Sequence, residues 1–249
     1  MAIGIISAMQ EEMQTLLDNL QESKVNSVGM RSYHTGKLFN VDVVLVFSRW
    51  GKVASATTAT QLINDYDIDE IIFTGVAGAI SKDLNIGDIV VGKHLYQHDM
   101  DASPLFNRYE IPLVNRSFFE TSTVQRERLY LATQQFINLF TEFIDKNKAH
   151  KFGIITPNVK VSDIGSGDQF ISDKQSVLNL SKELPTVSCV EMEGAAVAQV
   201  CFDYDIPFSI IRIISDKANN NAHIDFPKFA KEIASQYALG ILKNYFNEL

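Results

Sequence analysis

An α/β domain is what this sequence predicts, on three observations. Short apolar runs of strand length alternate with segments whose apolar residues recur at helical spacing. The run Phe208-Ser209-Ile210-Ile211-Arg212-Ile213-Ile214 is apolar enough for a buried strand. It delivers Asp216 at its C-terminal tip, where open α/β sheets usually keep their chemistry. The chain has 249 residues, 46% of them hydrophobic, enough to bury a large core. No repeat, low-complexity tract or linker divides it, so one domain over 1–249 is expected.

Residues 2–6 read as the first strand, and Met13, Leu16, Leu17 and Leu20 then form one helical face at i, i+3, i+4, i+7. Strands are expected over 31–38 and 41–47, a helix of small residues over 53–63, and a strand over 70–74 closed by a Gly75-Val76-Ala77-Gly78 turn. A short strand over 89–91 precedes an irregular stretch, 98–122, whose Pro104, Pro112 and mixed aromatics suggest a long functional loop. A helix over 124–143 and strands over 152–155 and 159–161 follow, then Gly165-Ser166-Gly167-Asp168 and a helix opened by Ser172 and Gln175 as a capping box. The last third gives a strand over 187–190, a helix over 194–203, a strand over 208–215 and a long helix over 228–246.

Charge narrows the function classes. Lys and Arg number 22 against 30 Asp and Glu, net −8 without a basic run, which argues against nucleic acid or an anionic membrane as the main partner and favours a small molecule. The N-terminal segment has no charged n-region and meets acids by Glu11, so a cytoplasmic location is expected. Cys189 and Cys201 lie in apolar segments and read as reduced core thiols. The dinucleotide, Walker and zincin motifs are absent, and a nucleophile elbow at Ser166 would need glycine where Ile164 stands. The histidines at 34, 94, 98, 150 and 223 have no ligand spacing. A carboxylate-centred site without metal or organic cofactor remains, around Val190-Glu191-Met192-Glu193 and Asp216.

The order and spacing of several segments resemble the 5'-methylthioadenosine/S-adenosylhomocysteine nucleosidases of the nucleoside phosphorylase-I superfamily. They are Ile3 to Glu12, Gly51-Lys52-Val53-Ala54, Thr74-Gly75-Val76-Ala77-Gly78, Gly87-Asp88-Ile89-Val90-Val91, Ser166 to Ile171, Val190 to Glu193, and Arg212 to Asp216. The resemblance runs from the first strand to the final helix and is weakest over about 100–122. It implies a three-layer sandwich, a central mixed sheet flanked by helices. It also implies hydrolysis of a purine nucleoside and a homodimer in which a partner loop completes the pocket at the 5' end.

Carried over by position, the resemblance makes Glu12 the base acting on water and Asp216 the acid. Met192 and Glu193 then hold the ribose, and Phe170 and Ile171 address the purine. Arg212 lies near the water, Ser215 beside the acid, and Met9, Trp50 and Phe226 around the sugar and its 5' substituent. Ala77 and Gly78 are counted as ligand contacts, since glycines let backbone approach a ligand. Breaking an N-glycosidic bond builds positive charge on the ribose and negative charge on the purine, so a proton donor and anionic groups suit it, as in glycoside hydrolysis. Asp216 would need its pKa raised from about 3.9. Glu12 would need to stay ionised, with Arg212 as its cation.

Plainer readings stand beside these. Glu11 and Glu12 are also good first-turn acids, Asp216 a turn cap, Glu191 a solvated edge residue, and Met9, Trp50 and Phe226 core. Phosphorylases of the superfamily place an arginine and a hydroxyl where this chain has Phe73 and Val76, which favours water over phosphate. The nucleosidases usually carry Ser or Thr at the Val76 position, and Trp50 is bulkier than their residue. Trp50, Leu105, Phe106 and Tyr109 are expected to favour an apolar 5'-alkylthio group. Another nucleoside such as aminodeoxyfutalosine, a phosphorylase, and a nucleoside-binding or storage protein are the alternatives.

Overall fold

The computed structural model describes residues 2–219 and 222–248, the side chains of 223–225 excepted, so the side chain of His223 lies outside the described residues. The first half runs β1 (Ala2–Ser7), α1 (Gln10–Asp18), β2 (Gln21–Val28), β3 (Arg31–Leu38), β4 (Val41–Phe47), α2 (Lys52–Asp65), β5 (Ile68–Ala79) and β6 (Ile89–Gln97). The second half runs β7 (Phe119–Glu120), α3 (Thr123–Asn138), α4 (Phe140–Phe143), α5 (Lys146–Lys151), β8 (Val159–Ser166), α6 (Lys174–Glu183), β9 (Val187–Glu191), α7 (Gly194–Asp203), β10 (Phe208–Asp216), α8 (Ala222–Phe229), a π-helical stretch Ala230–Ala234 and α9 (Ser235–Asn247).

The strands form one mixed sheet with helices on both faces, as expected. Alternation along the strands divides its side chains between two cores. Ile3 and Ile5 of β1 and Ile211 and Ile213 of β10 face one core with α1, α3 and α9, whereas Ile6, Ile210 and Ile214 face the other with α2 and α7. The sheet also curls upon itself. β5 pairs in parallel with β10, β10 antiparallel with β6, β6 in parallel with β8, β8 in parallel with β9, and β9 antiparallel with the end of β5. Half of the sheet is therefore a closed barrel, while β1, β4, β3 and β2 extend from it as an open wing. Where barrel and wing meet, the C-terminal ends of β1, β5 and β10 come together.

Several expected elements differ. The Gly75-Val76-Ala77-Gly78 turn does not exist, because β5 continues through it to Ala79. The expected strand over 152–155 is the end of a helical turn: Phe152 caps α5, Gly153 turns the chain, and the N–H of Ile154 returns to the carbonyl of Ala149. Four apolar residues cannot by themselves distinguish strand from helix end. β2 was unforeseen because it is exposed along most of its length and carries no alternation. β6 and β8 outlast their apolar starts by several residues. The helix expected over 124–143 breaks at Leu139, and α6 is capped by Asp173, whose carboxylate accepts the N–H groups of Gln175 and Ser176, rather than by Ser172. The helix expected over 228–246 extends from α8 at Ala222 through the π-helical stretch and α9.

Candidate active site

The strand ends frame a cleft of about 620 Å³ that opens to solvent. The residues carried over by position from the family all line it, whereas three expected at the 5' group do not. Met9 and Glu12 come from the start of α1, Trp50 from the loop before α2, and Ala77 and Gly78 from β5. Phe170 and Ile171 follow β8, Met192 and Glu193 join β9 to α7, Arg212, Ser215 and Asp216 come from β10, and Phe226 from α8. Leu105, Phe106 and Tyr109 do not line it. Tyr109 packs beside Leu180 and Leu184 and donates its hydroxyl to Glu183, while Leu105 is exposed.

Glu12 serves the helix and the cleft together. At the third position of α1, its Oε2 accepts the N–H groups of Ala8 and Met9, both at 3.0 Å, the helix-start role of an acid. Its Oε1 accepts the N–H of Val76 at 3.0 Å, so Val76 contributes backbone where a hydroxyl was expected in the family. Burial pushes the Glu12 carboxyl up to about 7, against the opposing pull of Arg212 and these N–H groups. Asp216 is held at the other end of the cleft segment of β5. Ser215 donates its hydroxyl to Oδ2 at 2.8 Å and Ala218 its N–H to Oδ1 at 2.8 Å.

The glycines of β5 serve close approach. A Cβ on Gly75 would lie 3.0 Å from Glu12 Oε1, and one on Gly78 3.0 Å from Asp216 Oδ1. The two glycines stand three residues apart on β5, roughly 10 Å along the strand at ~3.3 Å per residue.

Arg212 lowers the Glu12 pKa against the effect of burial and is also held by a second carboxylate. Its Nη2 pairs with Glu191 Oε2 at 2.6 Å, and its guanidinium lies 4.1 Å from the centre of the Phe73 ring. Glu191 is not a solvated edge residue: it is buried, accepts the hydroxyl of Ser166, and receives the N–H groups of Glu193 and Gly194 at the start of α7. An arginine within an isoleucine run required such a partner, and the end of the buried strand 187–190 was the place to seek it. Glu193 caps α7 and accepts the N–H of Gly51 on Oε1 at 2.7 Å. Its burial, with the neighbouring Glu191 charge, pushes it up to about 8.

The chain matches the family model described as the phosphorylase superfamily over residues 2–247. It is 34% identical to the 5'-methylthioadenosine/S-adenosylhomocysteine nucleosidase of Maridesulfovibrio salexigens over 250 residues, covering 100% of both chains. This chain belongs to that nucleosidase family, within the phosphorylase superfamily. The Neisseria meningitidis nucleosidase bound to methylthio-immucillin-A has a TM-score of 0.84 and 29% identity, covering 100% of this chain and 99% of that one. The futalosine hydrolase of Helicobacter pylori has a TM-score of 0.83 and 32% identity, covering 100% of this chain and 98% of that one.

In this family member an aromatic row edges the cleft. Trp50, 54% exposed, meets Phe226 edge-on at 5.9 Å, and Phe226 meets Phe170 at 6.0 Å. Ala8, Gln169 and Val190 also line the cleft and were not foreseen. Among the described residues, the lining holds four carboxyl groups, Glu12, Glu191, Glu193 and Asp216, against one cation, Arg212.

Proposed function

We propose that the protein hydrolyses the N-glycosidic bond of 5'-methylthioadenosine, and also of S-adenosylhomocysteine, releasing adenine and a 5-thio-substituted ribose. The observation that carries this reading is the pair of buried carboxyls, Glu12 and Asp216, held from opposite ends of one strand segment. Asp216 gives a proton to N7 of the purine as the bond from C1' to N9 breaks and its electron pair passes to the base. Water bonds to C1' and loses its proton to Glu12, whose pKa of about 7 suits a base working near neutrality. Glu193 accepts hydrogen bonds from the ribose hydroxyls. Phe170 stacks on the purine, and Trp50 and Phe226 offer an apolar edge to the 5' substituent.

The excess of carboxyls favours water over phosphate. The one guanidinium is already paired with Glu191, so phosphate would meet uncompensated negative charge, a repulsion on the order of several kcal/mol in a partly dry site. The resemblance to the Helicobacter pylori futalosine hydrolase supports a second reading, another purine nucleoside such as aminodeoxyfutalosine. A homodimer, a cytoplasmic location and a role in methionine salvage complete the proposal. The exposed Leu105 and Leu113 in the loop after β6 are apolar groups that a partner would cover. Incubation with methylthioadenosine, S-adenosylhomocysteine, aminodeoxyfutalosine, adenosine and AMP, with and without phosphate, tests the reading. Free base and free sugar are the expected products. Ribose 1-phosphate appearing only with phosphate would refute hydrolysis, and preference for AMP would refute the apolar pocket.

A further inference from the structure

Trp50 and Phe170 stand on loops that are tied together outside the cleft as well as inside it. Lys52 opens α2 two residues after Trp50. Its backbone N–H donates to Asp168 Oδ1 at 2.8 Å, and its ammonium donates to Asp99 Oδ1 at 2.6 Å and Gln97 Oε1 at 3.1 Å. Asp99 Oδ2 accepts the N–H of Asp168 at 2.9 Å, which closes a ring of three residues. The ring joins the start of α2, the end of β6 and the turn after β8. The Lys52 and Asp99 side chains are 17% and 15% exposed, so solvent screens the pair far less than it does a surface ion pair. Gln97 extends the ring by donating to Gln199 on α7 at 2.7 Å.

The backbones beside the ring are pressed against it. Gly51 has φ +93°, and a Cβ there would lie 2.9 Å from Asp168 Oδ1. A Cβ on Gly167 would lie 2.5 Å from the His98 ring. Gly51 is also the residue whose N–H reaches Glu193 at 2.7 Å, and Phe170 lies two residues beyond Asp168. Lys52, Asp99 and Asp168 themselves do not line the cleft.

We propose that Lys52, Asp99 and Asp168 are positioning residues: their ring fixes the Gly51 N–H on Glu193 and sets Trp50 and Phe170 in place before the substrate arrives. The identity of that substrate rests on the nucleosidase reading; the ring does not. Without it, substrate binding would have to order both loops, so the loss falls on KM and leaves the chemical step nearly intact.

Trp50 is the only tryptophan of the chain, so its quenching by acrylamide reads the ring directly. Lys52→Met keeps the stem and removes the ammonium, Lys52→Arg restores a cation, and Asp99→Asn is the milder change should Lys52→Met fail to fold. The expected result is a KM for methylthioadenosine raised about 10-fold or more in Lys52→Met and Asp99→Asn, with kcat within about 3-fold of wild type. Quenching of Trp50 should rise in both, and Lys52→Arg should recover part of each change. Unchanged quenching and KM in the folded variants would overturn the proposal, as would a fall in kcat at unchanged KM. If the wild type turns over no nucleoside, the nucleosidase reading fails while the quenching comparison still decides whether the ring sets the loops.

Discussion

Replacing Glu193 by glutamine should stabilise the protein as it disables it, and by an amount that grows with pH. The side-chain oxygen of glutamine can keep the bond from the Gly51 N–H, so the main change is loss of a titrating carboxyl. That carboxyl is raised from 4.5 to about 8 by burial and by Glu191. A carboxyl raised on folding binds its proton more tightly in the native state, so its contribution to stability is lost as pH rises from 4.5 towards 8. Integrated over those values, the wild type loses ~1 kcal/mol by pH 5 and ~3 kcal/mol by pH 7, relative to strongly acid solution. Glu12 titrates in both proteins, and its repulsion with Glu193, lost in the variant, acts in the same direction. The stability advantage of Glu193→Gln should therefore grow by ~2 to 3 kcal/mol between pH 5 and pH 7. For a chain of this length that is about 5 to 10 °C in the difference between the two melting temperatures. Thermal unfolding of both proteins at the two pH values measures it, alongside an adenine-release assay in which the variant should be nearly inactive. A melting difference that is the same at both pH values would refute the reasoning.

Glu12→Gln should abolish turnover, and in the wild type kcat/KM should rise with pH through about 7 as Glu12 ionises; a flat profile from pH 5 to pH 9 would count against Glu12 as the base. Asp216→Asn should stop adenine release while methylthio-immucillin-A still binds in a calorimetric titration, and an active variant would remove Asp216 from its assigned role. Arg212→Leu should destabilise by ~3 to 5 kcal/mol in urea unfolding, because it leaves Glu191 buried without its cation.

The sequence disclosed the site more fully than it disclosed the fold around it. Asp216 was legible because a run with five strongly apolar residues, 208–214, leads to it, whereas Glu12 was singled out by the family resemblance alone, an acid in the first turn being common at any helix start. The pairing of Arg212 with Glu191 was not legible, since β9 and β10 are not paired with each other and their side chains meet only once the barrel has closed. β2 was illegible for a different reason: an edge strand with both faces wet has no apolar period. The glycines at 75 and 78 were read as a turn, the commoner use of glycine. Their actual use, admitting Glu12 and Asp216 against the strand, depends on side chains from α1 and β10 that meet only in the folded chain.

The closure of the barrel bears on how the protein reaches its native state. β5 pairs along its length with β10, joining Ile71 to Phe208 and Gly78 to Asp216 across most of the chain. Until those last strands are synthesised, β5 presents an unpaired apolar flank of the kind that recruits other chains. Such distant parallel pairing is slow to form, because loop-closure entropy must be met before the contacts repay it. The same event brings Asp216 and Arg212 to Glu12 and Glu191. A nascent or truncated chain ending before β10 therefore holds a cleft without Arg212, Ser215, Asp216 and Phe226 and an open sheet edge, and competence for ligand and protection from aggregation arrive in a single step.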